Sequence, residues 1–225
     1  VYLLQGRVAA FYEPVEFGMG ERLLERAVAN AYEADLEQVK QLNGKRGDIG
    51  LVAEEMAEKS HHGGTGLKVA DVFGALTQIT QTSGEGSTEG KVGVLSELMR
   101  GCDALEAKYV MRIVSGRLRL GIGDPTVLEA LAFARLGDRK FRAKLEKSYN
   151  EISDLGVIAE TLWKFDREDA LFAVEKLRVS VGRPLRSELC ERLPNAEKTI
   201  AICQKIISST NWHAQRGIAG SYAQI

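Results

Sequence analysis

The feature that most constrains this chain is a hydrophobic period. Apolar residues recur every three to four positions in block after block, and the blocks are separated by short Gly, Asn, Asp and Ser signals. Residues 20–30 place Leu23, Leu24, Ala27 and Val28 on one stripe. Residues 34–42 repeat the pattern with Leu36, Val39 and Leu42, and Asn43-Gly44 closes that block. Residues 48–59 follow with Leu51, Val52 and Met56, and residues 69–82 with Val72, Phe73, Leu76 and Ile79. A strand repeats every two residues, so side chains spaced this way cannot share one face of a sheet. The chain is therefore predicted to be all-α, a multi-helix domain.

Capping chemistry sharpens the second half. Ser87 reads as the N-cap of a helix to about Arg100, and Gly101 ends it. Asp103, with Glu106 three residues on, opens a helix over 104–115. Asp124-Pro125 restarts a helix with Val127, Leu128, Leu131 and Ala132 inward. Further helices are predicted over 138–149, 153–163 and 166–176, and a short one over 195–208. Two stretches break the period. Gly116-Arg117-Leu118-Arg119-Leu120-Gly121-Ile122-Gly123 alternates basic with apolar between glycines, and Val179-Ser180-Val181-Gly182-Arg183-Pro184 reads as an extended linker near the C-terminus.

The 225 residues suit one or two globular domains, and no apolar run reaches the roughly 18 residues a membrane helix needs. The sequence opens without an initiator Met or a signal-peptide pattern, and reads as a piece of a longer protein. Cys102, Cys190 and Cys203 match no zinc or redox spacing, which points to free thiols in a reducing, cytoplasmic setting. The net charge of −1 excludes a strongly basic nucleic-acid binder, but the charge is unevenly placed. Residues 1–99 carry −6, residues 100–147 carry +5 and residues 148–225 carry 0. A basic middle is either a footprint for phosphates or a solvated helix surface.

The basic middle contains the most informative candidate site. Lys108 and Arg112 stand four residues apart and project from one helix face. Arg117 and Arg119 alternate onto one side if the glycine-bracketed segment is extended, which sends Leu118 and Leu120 toward the core. Gly116, Gly121 and Gly123 let backbone approach a ligand closely. The following helix adds free N–H groups, for which Asp124 as N-cap competes. Two guanidinium forks, an ammonium and open amides suit a sugar–phosphate backbone. The same cations could instead pair with acidic helix faces. A second candidate is the Thr82–Ser87 loop, where Gly86 and Ser87 at a helix start, with Lys91, form a generic anion site or an ordinary helix–helix turn. The glycine runs lack the spacing of a P-loop or a dinucleotide fingerprint. His61 and His62 are adjacent and would diverge on a helix, His213 has no evident partner, and no metal or catalytic set emerges.

Several blocks in order carry a family resemblance. They are Tyr2-Leu3-Leu4-Gln5-Gly6-Arg7-Val8, Glu16-Phe17-Gly18-Met19-Gly20, Gly47-Asp48-Ile49-Gly50-Leu51-Val52-Ala53-Glu54, Ser83-Gly84-Glu85-Gly86-Ser87, Glu106-Ala107-Lys108-Tyr109 through Arg112-Ile113, and the 116–123 run with Asp124 and Thr126-Val127-Leu128-Glu129-Ala130-Leu131-Ala132. Over residues 1 to about 198 the chain resembles the N-terminal DNA-binding domain of archaeal and eukaryotic ATP-dependent DNA ligases, most closely the archaeal type. The resemblance implies an all-helical domain that grips the minor groove around a nick, in DNA replication, repair and recombination. It also implies backbone contacts from Gly116, Arg117, Arg119 and Gly121.

The departures bear on function. Family chains begin some tens of residues earlier. Their second Pro and a Met after the linker are replaced here by Ser187-Glu188, and the Lys-x-Asp-Gly that takes AMP from ATP occurs nowhere. The expectation is therefore a DNA-binding domain over 1–177, a linker and the start of a nucleotidyltransferase domain over 178–207, and an unassigned tail over 208–225. The partners would be nicked double-stranded DNA and the nucleotidyltransferase and OB domains of a full ligase, with no membrane. The ATP and Mg²⁺ of the full-length family would have no site here, and the chain alone is predicted inactive. A nucleoid-associated cytoplasmic location fits that reading. A free-standing helical DNA-binding protein and a helical interaction scaffold are the alternatives.

Overall fold

The computed structural model describes residues 1–60, 63–185 and 200. The chain divides into two compact units, Val1–Arg186 and Ser187–Ile225. Among the described residues the secondary structure is helical and contains no strand. The predicted helix over 195–208, the tail and His61-His62 lie outside the described residues.

The first unit contains two helical lobes. A 3-10 turn over Tyr2–Gln5 precedes α1 (Glu21–Ala31), α2 (Leu36–Arg46), α3 (Ile49–Ser60), α4 (Val69–Gln81), α5 (Ser87–Arg100) and α6 (Ala104–Val114). These enclose one core that includes the fully buried Leu76, Ile79, Leu95, Met99 and Met111. Then α7 (Asp124–Leu131), α8 (Arg142–Ile152), α9 (Leu155–Lys164) and α10 (Arg167–Glu175) enclose a second, built on Leu128, Leu145, Tyr149, Ile152, Leu155, Ile158 and Leu162. Burying each such side chain contributes about 1.5–3 kcal/mol, so each lobe has the means to hold itself together. Every extensive helix–helix contact lies within one lobe.

Local chemistry explains most helix ends. Asp35 caps α2 by accepting from the Gln38 N–H at 3.0 Å. Asp103 and Glu106 form a reciprocal capping box on α6, each bond 2.8 Å. Three ends differ from expectation. Helix α2 runs through Gly44 and closes at Gly47, whose φ of 62° supplies the left-handed cap expected at Asn43-Gly44. Gly86, not Ser87, is the N-cap of α5. Gly123, not Asp124, is the N-cap of α7, because the Asp124 carboxylate is drawn to Gln5 Nε2 at 2.9 Å and Tyr149 Oη at 2.8 Å. A π-helical turn over Ala132–Leu136 then carries the chain off α7.

Helices α3 and α6 cross closely at Gly50. A Cβ there would come within 2.7 Å of both Arg112 Cγ and the Lys108 carbonyl oxygen, so the crossing depends on a missing side chain. This packing fixes the direction in which α6 delivers the 116–123 turn.

Candidate nucleic-acid interface

Lys108 and Arg112 do share one face of α6, and that face is turned onto α3. Arg112 Nη2 donates to Asp48 Oδ2 at 2.7 Å, and Lys108 Nζ pairs with Glu54 Oε2 at 2.9 Å. The Arg112 and Asp48 side chains are 13% and 4% exposed, so this pair belongs to the interior of the lobe. Burial pushes the Asp48 carboxyl up. The hydrogen bonds and charge of Arg112, the Gly50 N–H and the nearby Arg119 outweigh that and hold it below the ordinary carboxylate value. Both cations therefore work as struts between helices, the acidic-face pairing that the sequence left open.

Beyond α6 the chain changes character. Gly116 turns with φ of 67° and Gly121 with φ of 68°, and a Cβ at either would meet nothing within 4 Å. Both glycines stand in open space, where a ligand can approach the backbone. Arg117 is exposed and has no ion pair among the described residues. Arg119 is exposed too, with only a loose contact to Asp48 at 3.5 Å and to the Gly47 carbonyl at 3.3 Å. Arg119 adopts a left-handed φ of 52°, so side chains do not alternate strictly along the segment. Leu118 packs on the first core, whereas Leu120 is 36% exposed. The expectation that both leucines face inward holds for Leu118 alone.

Two clefts flank this turn. One, of about 460 Å³, is lined by Arg7, Phe17, Gly18, Ser115 and Gly116 among others. The other, of about 390 Å³, is lined by Leu4, Arg7, Phe11, Arg119, Gly121 and Ile122 among others. Arg7 lines both and is exposed, with no ion pair among the described residues. Sequence reasoning did not single it out, because it stands more than a hundred residues from Arg117. Its one local signal is the Gly6-Arg7 step, where Gly6 turns with φ of 71°. Helix α7 begins where the turn ends, and its N-cap is Gly123, which has no side chain to offer its first amides.

The Thr82–Ser87 loop stands apart. Gly86 and Ser87 line neither cleft. Lys91 reaches away from the loop to the Phe17 carbonyl at 2.7 Å and buttresses the Phe17-Gly18 wall of the first cleft. Among the described residues no group of His, Cys, Asp and Glu could hold a metal ion, and no helix is long and apolar enough to cross a membrane.

Comparison with known proteins supplies the family. The family model described as "DNA ligase N terminus" matches residues 1–132. The chain is 40% identical over 200 residues to a probable DNA ligase of Dictyoglomus turgidum, covering 89% of this chain and 33% of that protein. It is 37% identical over 197 residues to DNA ligase 1 of Methanosarcina barkeri, covering 88% and 35%, and 42% identical over 203 residues to DNA ligase 2 of Thermofilum pendens, covering 86% and 33%. The chain thus spans about a third of the length of these relatives. With its helical fold, it belongs to the N-terminal domain family of the ATP-dependent DNA ligases.

Proposed function

We propose that this domain grips duplex DNA around a nick through the sugar–phosphate backbone, with Arg7, Arg117 and Arg119 as its phosphate-binding cations. The observation that carries this reading is the pair of clefts that meet at Arg7 and flank the backbone at Gly116 and Gly121, where a Cβ would meet nothing within 4 Å. Guanidinium groups without tight intramolecular partners lose little by pairing with phosphate, and backbone amides add donors with no sequence preference. Lys108, Arg112 and Lys91 support the site by holding its walls. Gly86, Ser87 and the α5 N-terminus form a separate contact point for a more distant phosphate.

The domain supplies affinity and nick encirclement in replication, repair and recombination. The chemistry belongs to the nucleotidyltransferase and OB domains of a full ligase, with ATP and Mg²⁺. Without Lys-x-Asp-Gly in its 225 residues, the chain has no lysine nucleophile of that kind, and no adenylylation step is assigned to it. Binding to DNA places it with the nucleoid in the cytoplasm.

Titration of the protein with a fluorescent nicked duplex at several salt concentrations tests the proposal. Affinity is expected to fall with salt at a slope near −0.9 per phosphate contact, and to vary little when the sequence is scrambled. Failure to bind at 50 mM salt, or binding confined to one sequence, would overturn it.

A further inference from the structure

The two lobes have separate cores, and extensive helix packing stops at the boundary between them. The 116–123 turn is the covalent link across it. A set of polar contacts from the N-terminal segment also crosses. The Tyr2 hydroxyl donates to Asp154 Oδ1 at 2.8 Å, the Tyr12 hydroxyl donates to Asp154 Oδ2 at 2.9 Å, and Gln5 Nε2 donates to Asp124 Oδ1 at 2.9 Å. Asp154 is 4% exposed and also accepts from the Gly156 and Val157 N–H groups at 2.9 and 3.1 Å through Oδ1.

We infer that Asp154 is an inter-lobe latch: by holding Tyr2 and Tyr12 it sets the angle between the lobes, and so the geometry of the two clefts that flank the 116–123 turn. The role in DNA binding rests on the function proposed above; the latch itself does not.

Four observations carry this beyond ordinary helix capping. Capping α9 needs only the bonds from Gly156 and Val157 to Oδ1, and neither tyrosine hydroxyl contributes to it. Gly156 is the second residue of α9, and its φ is not in the left-handed range, so the backbone there does not call for a glycine. Its missing side chain is explained by Tyr2: a Cβ on Gly156 would overlap the Tyr2 ring and hydroxyl. Burial and the bond to Asp154 also push both phenols above their ordinary acidity range, so both remain donors. Arg183, in the extended segment, neighbours the Tyr12 hydroxyl and pulls the other way, so the segment that follows the second lobe returns to the same latch. A polar, hydrogen-bonded seam between two apolar cores is the kind of interface that opens without unfolding either side.

Spin labels on Gln41→Cys in α2 and Lys147→Cys in α8, both exposed, report the inter-lobe distance once Cys190 and Cys203 are changed to Ser. Cys102 is buried and stays unlabelled. Two lesions attack the latch from opposite sides: the double variant Tyr2→Phe with Tyr12→Phe, and Gly156→Ala. Tyr32→Phe is the control, since its hydroxyl bonds the Met99 carbonyl within the first lobe at 3.3 Å. Both latch variants should broaden the distance distribution while helicity is kept. Their Kd for nicked duplex should rise on the order of tenfold, the equivalent of about one charge-assisted hydrogen bond. A wild-type distribution in both latch variants would overturn the latch, as would equal broadening in Tyr32→Phe. Broadening with an unchanged Kd would overturn its role in DNA binding. If the wild-type protein does not bind nicked duplex, the proposed function fails, and the distance measurement still decides the latch.

Discussion

Arg112 and Asp48 join α6 to α3 through a guanidinium fork, with Nη2 at 2.7 Å and Nε at 3.2 Å from the same carboxylate oxygen. Removing one partner of a pair this enclosed strands the other charge, so Arg112→Ala should cost about 3 kcal/mol of stability. The pH dependence follows from the sign of the Asp48 shift. Its folded value is depressed, so its contribution is fully present above the unfolded value, near pH 4, and is lost as pH falls through the lower folded value. Urea melts between pH 2 and 6 check this. The wild type should lose stability more steeply than Asp48→Asn below about pH 4; parallel curves would contradict the assignment.

Leu118 and Leu120 provide an internal control for the turn. Leu118 packs against the first core while Leu120 is partly exposed. Leu118→Asp should cost about 2 kcal/mol, since it places a charge where apolar surface was covered. Leu120→Asp should stay within about 0.5 kcal/mol of wild type. Thermal melts of the two variants separate these outcomes, and equal destabilisation would show that the turn packs differently.

Arg119 occupies a left-handed backbone conformation, which costs a residue with a Cβ about 1–2 kcal/mol. Arg119→Gly removes that cost together with the guanidinium, whereas Arg119→Ala removes only the guanidinium. The glycine variant should therefore be about 1 kcal/mol more stable than the alanine variant, and both should bind nicked duplex equally weakly. Tighter binding by one of them at equal salt would show that the backbone conformation, and not the charge, governs contact.

The period of the sequence revealed the order and type of the helices, because an amphipathic stripe is a local property. The Asp103 cap, whose partner Glu106 lies three residues away, was equally legible. What the sequence could not show was the destination of a side chain. The i, i+4 spacing placed Lys108 and Arg112 on one face of α6, but Glu54 and Asp48, which that face meets, lie 54 and 64 residues away. Asp124 looked like a cap because Gln5, 119 residues distant, was not in view. The same distance hid Arg7, which only the folded N-terminal segment brings beside Gly116 and Arg119. The π-helical turn at Ala132–Leu136 has no sequence signal of its own.

The central claim is that the cations of the 116–123 turn bind DNA phosphates, and the double variant Arg117→Ala with Arg119→Ala tests it most directly. Nicked-duplex affinity is measured at several salt concentrations for the variant and the wild type, with circular dichroism to show that both are folded. The claim predicts weaker binding to every duplex by a similar factor, and a salt slope shallower by roughly 1–2, at about 0.9 per lost contact. A folded double variant with wild-type affinity and slope would contradict it.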